Sequence, residues 1–326
     1  VEKFIAKKII PNVDLVRQEN LGKAHALNNG IKFYARGEFV MCLDADSYID
    51  KGALKHVVRY FENSKVMAVA SNVRIAPSGG LLNLIQQYEY IICYQMKKAQ
   101  TFFNIEYIIG GIGSTFRRSF LKEINFYDTN TVTEDIDITM KILQHGNKHV
   151  RAVYADDVVT YTQSALSIAD LMKQRYRWKW GRSQTFLKNK NMFFSKDKRH
   201  TKRLTWFYLP YALYADLAFL LEPLILGYIL YVSIFLHDLF TLTAAFVVIS
   251  FYMIISILGE ASILPKHKIK YVFIAPFMYF LFYILSYVEY FALIKSLLNL
   301  LKLKKSLDVT YNTWEPIKRW AFSRYT

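Results

Sequence analysis

An apolar run that stops abruptly at two carboxylates, Glu38-Phe39-Val40-Met41-Cys42-Leu43-Asp44-Ala45-Asp46, is the first stretch whose residue types and spacing could do chemistry. Bounded by Gly37 and Ser47, it suits a central strand of a parallel sheet. Such sheets bind ligands beyond their carboxyl ends, where Asp44 and Asp46 fall. Taken alone, the triplet is read more simply as a polar turn capping the next helix, since Asp and Ser are favoured there. A second constellation is Gln174, Arg177 and Trp178, at i, i+3 and i+4 and so on one helical face. That face suits a sugar phosphate: a guanidinium grips phosphate oxygens bidentately, and an indole offers a flat apolar platform to a sugar ring. The same helix also reads as a membrane-surface element, because basic residues alternate there with Tyr176, Trp178, Trp180 and Phe186. Both readings can hold, on different faces.

The elements that must position these residues follow from periodicity and punctuation. Pro11 introduces a short strand, Val13 to Arg17, and Asn20-Leu21-Gly22 turns into a helix with apolar positions Leu21, Ala24, Leu27, Ile31 and Tyr34. Gly37 ends that helix, and the aspartate strand follows. Strand, helix, strand with short connections predicts a parallel crossover unit, with Asn20 and Lys23 at the same sheet edge as the two aspartates. Lys23 is then within reach of a phosphate, or is an exposed lysine in a first helical turn. A helix over 52–63 and a strand from Val66 to Ile75 form a second unit, and Pro77-Ser78-Gly79-Gly80 breaks it. Leu81 to Phe102 reads as one long helix carrying Gln86, Glu89 and Tyr90. The glycine-rich stretch from Ile108 to Arg118 reads as a turn into a short strand, where glycines admit a ligand or mark a bend. Thr133-Glu134-Asp135 opens a helix to His145. Capping by Thr and dipole stabilisation of first-turn acids explain that triplet without any catalysis. A strand from His149 to Tyr154 follows, then the capping box Ser167-x-x-Asp170 and a helix to Phe186.

Composition points to a membrane. The 326 residues are 53% hydrophobic with a mean hydropathy of +0.13, which implies two or three domains, one of them apolar. The formal net charge is +16, and from Lys173 to Arg203 there are twelve Lys or Arg against one acid, a net of +11. That excess lies just before the apolar third of the chain, where a polybasic segment sits against anionic lipid on the cytoplasmic side, so nucleic acid is not the expected partner. Leu239 to Leu258 and Tyr271 to Val288 are uncharged and long enough to span. Leu204 to Leu236, with Pro210, Asp216, Glu222 and Pro223, reads as an interfacial approach followed by a span. Three spans from a cytoplasmic domain would carry a basic tail outside, against the positive-inside rule, so either one segment is re-entrant or the first does not cross. Asp216 and Glu222 are candidates for a conduit lining or for headgroup-level acids. The two cysteines, Cys42 and Cys93, support neither a disulfide framework nor a zinc site.

The ordered set Asn20-x-Gly22-Lys23-Ala24-x-Ala26-Leu27-Asn28, Asp44-Ala45-Asp46, Gln86-x-x-Glu89-Tyr90, Thr133-Glu134-Asp135 and Gln174-x-x-Arg177-Trp178 resembles the processive membrane glycosyltransferases of family 2. Each motif is weak alone and the order is specific. The resemblance covers about residues 12 to 182, and it is closest in look to poly-N-acetylglucosamine synthases, with hyaluronan, chitin and cellulose synthases more distant. It implies an α/β fold of the GT-A type, a Rossmann-like mostly parallel sheet flanked by helices, followed by interfacial and transmembrane helices. It implies an inverting transfer of a sugar, N-acetylglucosamine, from a UDP-sugar to a growing β-linked polysaccharide at the cytoplasmic membrane face, coupled to export. Asp44 and Asp46 match the motif that holds the nucleotide and a divalent cation, Mg2+ or Mn2+, with Asp46 the main metal contact. Asp135 matches the general base, and Glu134 beside it a substrate-binding position. Gln174, Arg177 and Trp178 match the segment framing diphosphate and acceptor; Lys23 matches a position near the nucleotide, and Gly111 to Ser114 with Arg117 a donor or acceptor loop.

The resemblance implies a catalytic domain over 1–165, the helix and basic segment over 166–205, membrane helices over 206–301 and a basic tail over 302–326, in a multi-pass inner or plasma membrane protein. The expected partners are a nucleotide-sugar donor, a glycan or lipid acceptor and membrane lipid, with no nucleic acid; the sequence names no protein partner. The family's first strand with its Asn-Glu turn, and the next strand with a base-recognising Asp, should precede residue 12, and relatives carry spans before the catalytic domain, so further sequence is expected ahead of Val1. Lys179-Trp180-Gly181 after Arg-Trp leaves the polymer open. Transfer of one sugar to a lipid acceptor, and a non-enzymatic basic membrane protein, are the alternatives.

Overall fold

The computed structural model describes residues 13–303; Pro11 and the basic tail from 304 onward lie outside the described residues. Its centre is a five-stranded sheet of β1 (Phe39–Cys42), β2 (Tyr48–Ile49), β3 (Val66–Ile75), β4 (Ser114–Arg117) and β5 (Arg151–Thr162), in the order β1-β4-β3-β5-β2. β3 and β5 are parallel; β1 with β4, β3 with β4 and β2 with β5 are antiparallel.

Among the described residues the aspartate strand pairs antiparallel with β4 alone, not with the parallel neighbours its apolar run suggested. Burial along it is partial, with Phe39, Val40 and Met41 half-buried. Phe39 stacks on Phe61 with ring centroids 4.3 Å apart, and Cys42 lies in the core with its Sγ 3.4 Å from the Tyr127 hydroxyl. Val13 to Arg17 forms no strand, and Val13 and Leu15 are exposed. Among the described strands, only the outer side of β1 or β2 remains to pair with it, and neither does.

On one side of the sheet pack α1 (Lys23–Asn29, continued by a π-helical turn Gly30–Tyr34), α4 (Arg118–Glu123) and α5 (Glu134–Gly146), with Ala24, Ile31, Phe116, Phe120, Ile138 and Ile142 in one core. On the other, α2 (Ala53–Tyr60) buries Ala53 and Val57 against Val69, Val153 and Val158. α3 (Leu81–Phe102) keeps the bounds read from its pattern, and it joins the sheet layers to the apolar part. Its Ile85, Tyr88 and Ile91 pack with Leu171 of α6 (Ile168–Lys188) and with Met253, Ile257, Ala275 and Met278.

The apolar part begins with a π-helical turn, Arg203–Tyr208, and α7 (Leu209–Phe219), followed by α8 (Glu222–Phe235). α9 (Leu239–Leu258) has the predicted bounds, capped by Asp238, and α10 (Pro265–Leu303) extends well beyond the predicted span, with Pro276 inside it. By length and composition α9 and α10 can each cross a membrane, and the pair running Arg203–Phe219 and Glu222–Phe235, bent by 56°, adds a third if it is one broken span. The loop between α9 and α10 is tied to β3: Arg74 pairs with Glu260 and bonds Ser262, and Asn72 bonds Glu260 at 3.1 Å.

Candidate active site

The two aspartates stand on the turn that leaves β1. Ser47 N–H donates to the Asp44 carbonyl at 3.0 Å, and the Ser47 hydroxyl donates to the Asp46 carboxylate at 3.1 Å. The turn leads into β2, not into a helix, and α2 starts later behind Gly52. The helix-capping explanation of these acids is thereby removed. Lys23, in the first turn of α1, reaches the same turn: its ammonium lies 2.6 Å from Asp44 and 2.8 Å from Glu134. One cation thus joins the acids of two motifs about ninety residues apart in sequence. Burial opposes the lysine charge, but Glu134, Asp44 and Asp135 outweigh it and hold Lys23 above the ordinary lysine range. Gly111 lies over this cluster. A methyl group there would sit 3.1 Å from the Lys23 ammonium and 3.5 Å from Asp135, so the absent side chain keeps the space above the acids open.

Asp135 is the acid whose chemistry is most altered. Burial, and then the neighbouring Glu134, push its carboxyl up to about 6, against the pull of Lys23, of Arg177 and of the Ile136 N–H, which donates to it at 2.9 Å. Thr133 occupies the N-cap position but makes no side-chain cap bond. Its side chain is turned to α6 instead. A Cβ on Gly181 would lie 2.3 Å from the Thr133 Cγ2, so only glycine lets α6 approach the start of α5 this closely. Further along, Lys188 bonds the buried Asp137 at 2.7 Å and also pairs with Asp128. These contacts hold the α6 face that carries Gln174 and Arg177 against the Asp135 end of α5.

The structure thus brings Lys23, Asp44, Asp46, Gly111, Glu134, Asp135 and Arg177 to one end of the sheet. Gln174 is buried, and its carbonyl oxygen has no hydrogen-bond partner among the described residues. Trp178 is half-buried with the Arg175 guanidinium over its ring, 4.4 Å from the centroid. Ser114 lies at this end but is buried and donates to the Gly110 carbonyl, so it shapes the glycine loop. Arg117 does not belong with them. The register pairs Cys42 with Ser114 and Phe39 with Arg117, which puts Arg117 at the opposite end of β1. There it binds Glu38 at 2.8 Å and the Phe61 carbonyl at 2.8 Å, and it covers the Phe39 and Phe61 rings.

Among the described residues no three His, Cys, Asp or Glu side chains converge as a metal cage. The oxygen-only pair Asp44 and Asp46 fits a different kind of site, a hard cation completing its shell with diphosphate oxygens and water. Asp44 is meanwhile paired with the Lys23 ammonium at 2.6 Å.

Sequence reasoning did not single out Arg175, Gly181 and Lys188, which contact Trp178, Thr133 and Asp137. Gly181 carried a signal, a glycine inside a helix, which costs stability unless something needs the close approach.

A family model described as glycosyltransferase like family 2 matches residues 3–181. The poly-β-1,6-N-acetyl-D-glucosamine synthase of Staphylococcus aureus (strain COL) is 36% identical over 201 residues, 60% of this chain and 46% of that protein. The protein of the same name from Staphylococcus epidermidis is 34% identical over 254 residues, 71% of this chain and 57% of that one. The chain spans about half the length of the curated relatives it matches. Among solved structures, the mannosyltransferase PcManGT from Pyrobaculum calidifontis in complex with GDP-Man and Mn2+ superposes with a TM-score of 0.53 at 18% identity, over 92% of this chain and 72% of that one; the likeness is one of fold.

Proposed function

The chain belongs to the glycosyltransferase like family 2, with the GT-A fold, and from that membership we propose that it forms the catalytic and membrane part of an inverting synthase. The synthase would transfer N-acetylglucosamine from a UDP-sugar to a growing β-linked polysaccharide at the cytoplasmic membrane face and pass the product toward export. The names of its staphylococcal relatives support the sugar and the polymer. The catalytic unit would run to about residue 165, the α6 helix and basic segment over 166–205, and the membrane helices over 206–301.

An acceptor hydroxyl must lose its proton as it attacks the anomeric carbon, and Asp135 is assigned as the base that accepts it. A carboxylate held near 6 binds a proton better than an ordinary aspartate while staying mostly ionised at neutral pH. The bond to the leaving diphosphate breaks as the new glycosidic bond forms, on the opposite face of the sugar. Arg177 is assigned to the negative charge gathering on that diphosphate, through its bidentate donors. Asp46 and Asp44 would hold a divalent cation, Mg2+ or Mn2+, which supplies electrostatic stabilisation to the same leaving group. Lys23 is assigned to the donor phosphates, and Gln174 and Trp178 to framing the acceptor.

The observation that carries this reading is the Lys23 ammonium bridging Asp44 and Glu134, at 2.6 and 2.8 Å, next to an Asp135 of raised proton affinity. The test is transfer by the full-length protein in membranes, supplied with UDP-N-acetylglucosamine and Mg2+ or Mn2+, with products sized on a gel. A ladder of long β-linked products that disappears with chelator is expected. A single added sugar would overturn polymerisation, and chelator-resistant transfer would overturn the cation.

A further inference from the structure

The indole of Trp178 lies under a residue at an unspecified position of its own motif. The Arg175 guanidinium lies 4.4 Å from the Trp178 ring, is 3% exposed, and sends Nη2 to Glu89 of α3 at 2.6 Å and Nη1 to Glu289 of α10 at 3.3 Å. One turn later Lys179 bonds Glu289 at 3.1 Å and Asp216 of α7 at 3.2 Å, and Arg182 also pairs with Asp216. Three cations at i, i+4 and i+7 of one helix thus meet three acids from three other helices, and the charges balance.

Arg175 differs from the other two because it does two things at once. Its planar fork reaches two carboxylates on different helices, and its flat face lies against an indole. A lysine ammonium can keep the charge but has neither the plane nor the fork. We propose that Arg175 is a positioning residue for Trp178: it sets the plane of the indole and, through Glu289, ties it to the membrane helix α10. A purely structural Arg175, present only to neutralise the buried Glu89, would be replaced by lysine with little consequence. The effect on transfer rests on the reading above that Trp178 frames the acceptor; the effect on the indole does not.

The experiment uses the full-length protein in detergent and in membranes, with Arg175→Lys, Trp178→Phe, Trp178→Ala and the Arg175→Lys/Trp178→Ala pair. The near-ultraviolet circular dichroism difference between parent and Trp178→Phe reports the fixed indole. Arg175→Lys is expected to remove most of that difference band, and an unchanged band overturns the proposal. With UDP-N-acetylglucosamine and a short β-linked N-acetylglucosamine oligomer, Arg175→Lys is expected to raise the acceptor KM about tenfold while UDP affinity stays as in the parent. Equal losses in UDP affinity and transfer would mean a general disruption and overturn it. On the Trp178→Ala background Arg175→Lys should add nothing, and a full further loss overturns action through the indole. If Trp178→Ala leaves the acceptor KM unchanged, the acceptor reading fails, and the dichroism alone decides the role of Arg175. Should Arg175→Lys fold poorly, Glu289→Gln leaves the Glu89 pair in place and is expected to weaken the band in the same direction; an unaltered band there overturns the tie to α10.

Discussion

The two faces of α6 carry similar residues and do different work. Toward the sheet it presents Gln174, Arg177 and Gly181, packed on the start of α5 and open to the acids around Lys23. Toward the membrane helices it presents Arg175, Lys179 and Arg182, each paired with an acid from α3, α7 or α10. Composition alone made this segment look like a basic surface for anionic lipid. Four of its twelve cations are instead used internally: Arg175, Lys179, Arg182 and Lys188 all have protein carboxylates as partners. Charge on the sheet side faces the acids around Lys23, and charge on the membrane side meets acids of other helices.

The contrast can be broken most sharply from the membrane side. Replacing Glu89 with alanine strands a buried guanidinium beside its remaining, more distant partner, and a loss of about 3–5 kcal/mol in unfolding free energy is expected. Denaturant or thermal unfolding in detergent measures it; a loss within the range of an exposed pair would show that the ladder is not a structural unit. On the sheet side, Arg177→Ala should leave unfolding nearly unchanged and lower UDP release about 10²–10³-fold, as for removal of one donor to a developing charge. Comparable effects on stability and turnover from both substitutions would erase the distinction between the faces.

Gly181 lies where the faces are brought into register. Gly181→Ala places a methyl group 2.3 Å from Thr133 Cγ2, so α6 must shift, at a cost of about 1–3 kcal/mol. Turnover should fall with it, because Arg177 moves relative to Asp135; unfolding and UDP release on the same sample show whether they move together. The smallest effect concerns pH. The base proposed at Asp135 can accept a proton only when ionised, and burial together with Glu134 pushes that carboxyl up to about 6. Transfer is then expected to be half-maximal near pH 6 and to fall about tenfold per unit below it, while alkaline pH leaves it charged. A rate that stays flat down to pH 5 would remove Asp135 from the rate-limiting proton transfer.

Long elements were legible because their signal is local. β3, α3 and α9 have the bounds their apolar pattern and flanking breakers indicate. The pairing of β1 was not legible, since an apolar run announces burial and is silent on which neighbour provides it. Arg117 shows the same gap: the four residues of β4 run from a position beside the site to one at the far end, and only the register with β1 distinguishes them. The acids of the membrane-facing ladder lie on α3, α7 and α10, more than thirty residues from their partners in sequence, so no spacing rule could pair them. Most of the candidate site was legible as an ordered set of motifs. Its cohesion, through Lys23, Gly111 and the Gly181–Thr133 contact, needed three dimensions.

The central claim is that the acids near Asp44 and those near Asp135 form one site with two separable roles. The most direct test compares UDP binding with UDP release in the full-length protein for Asp46→Asn and Asp135→Asn, with Mg2+ or Mn2+ present. Asp46→Asn is expected to lose cation-dependent UDP affinity, whereas Asp135→Asn binds UDP as the parent does and releases it about 10²–10⁴-fold more slowly in turnover. If Asp135→Asn turns over at the parental rate, or if Asp46→Asn binds UDP unchanged, the assignment of these two groups of acids is contradicted.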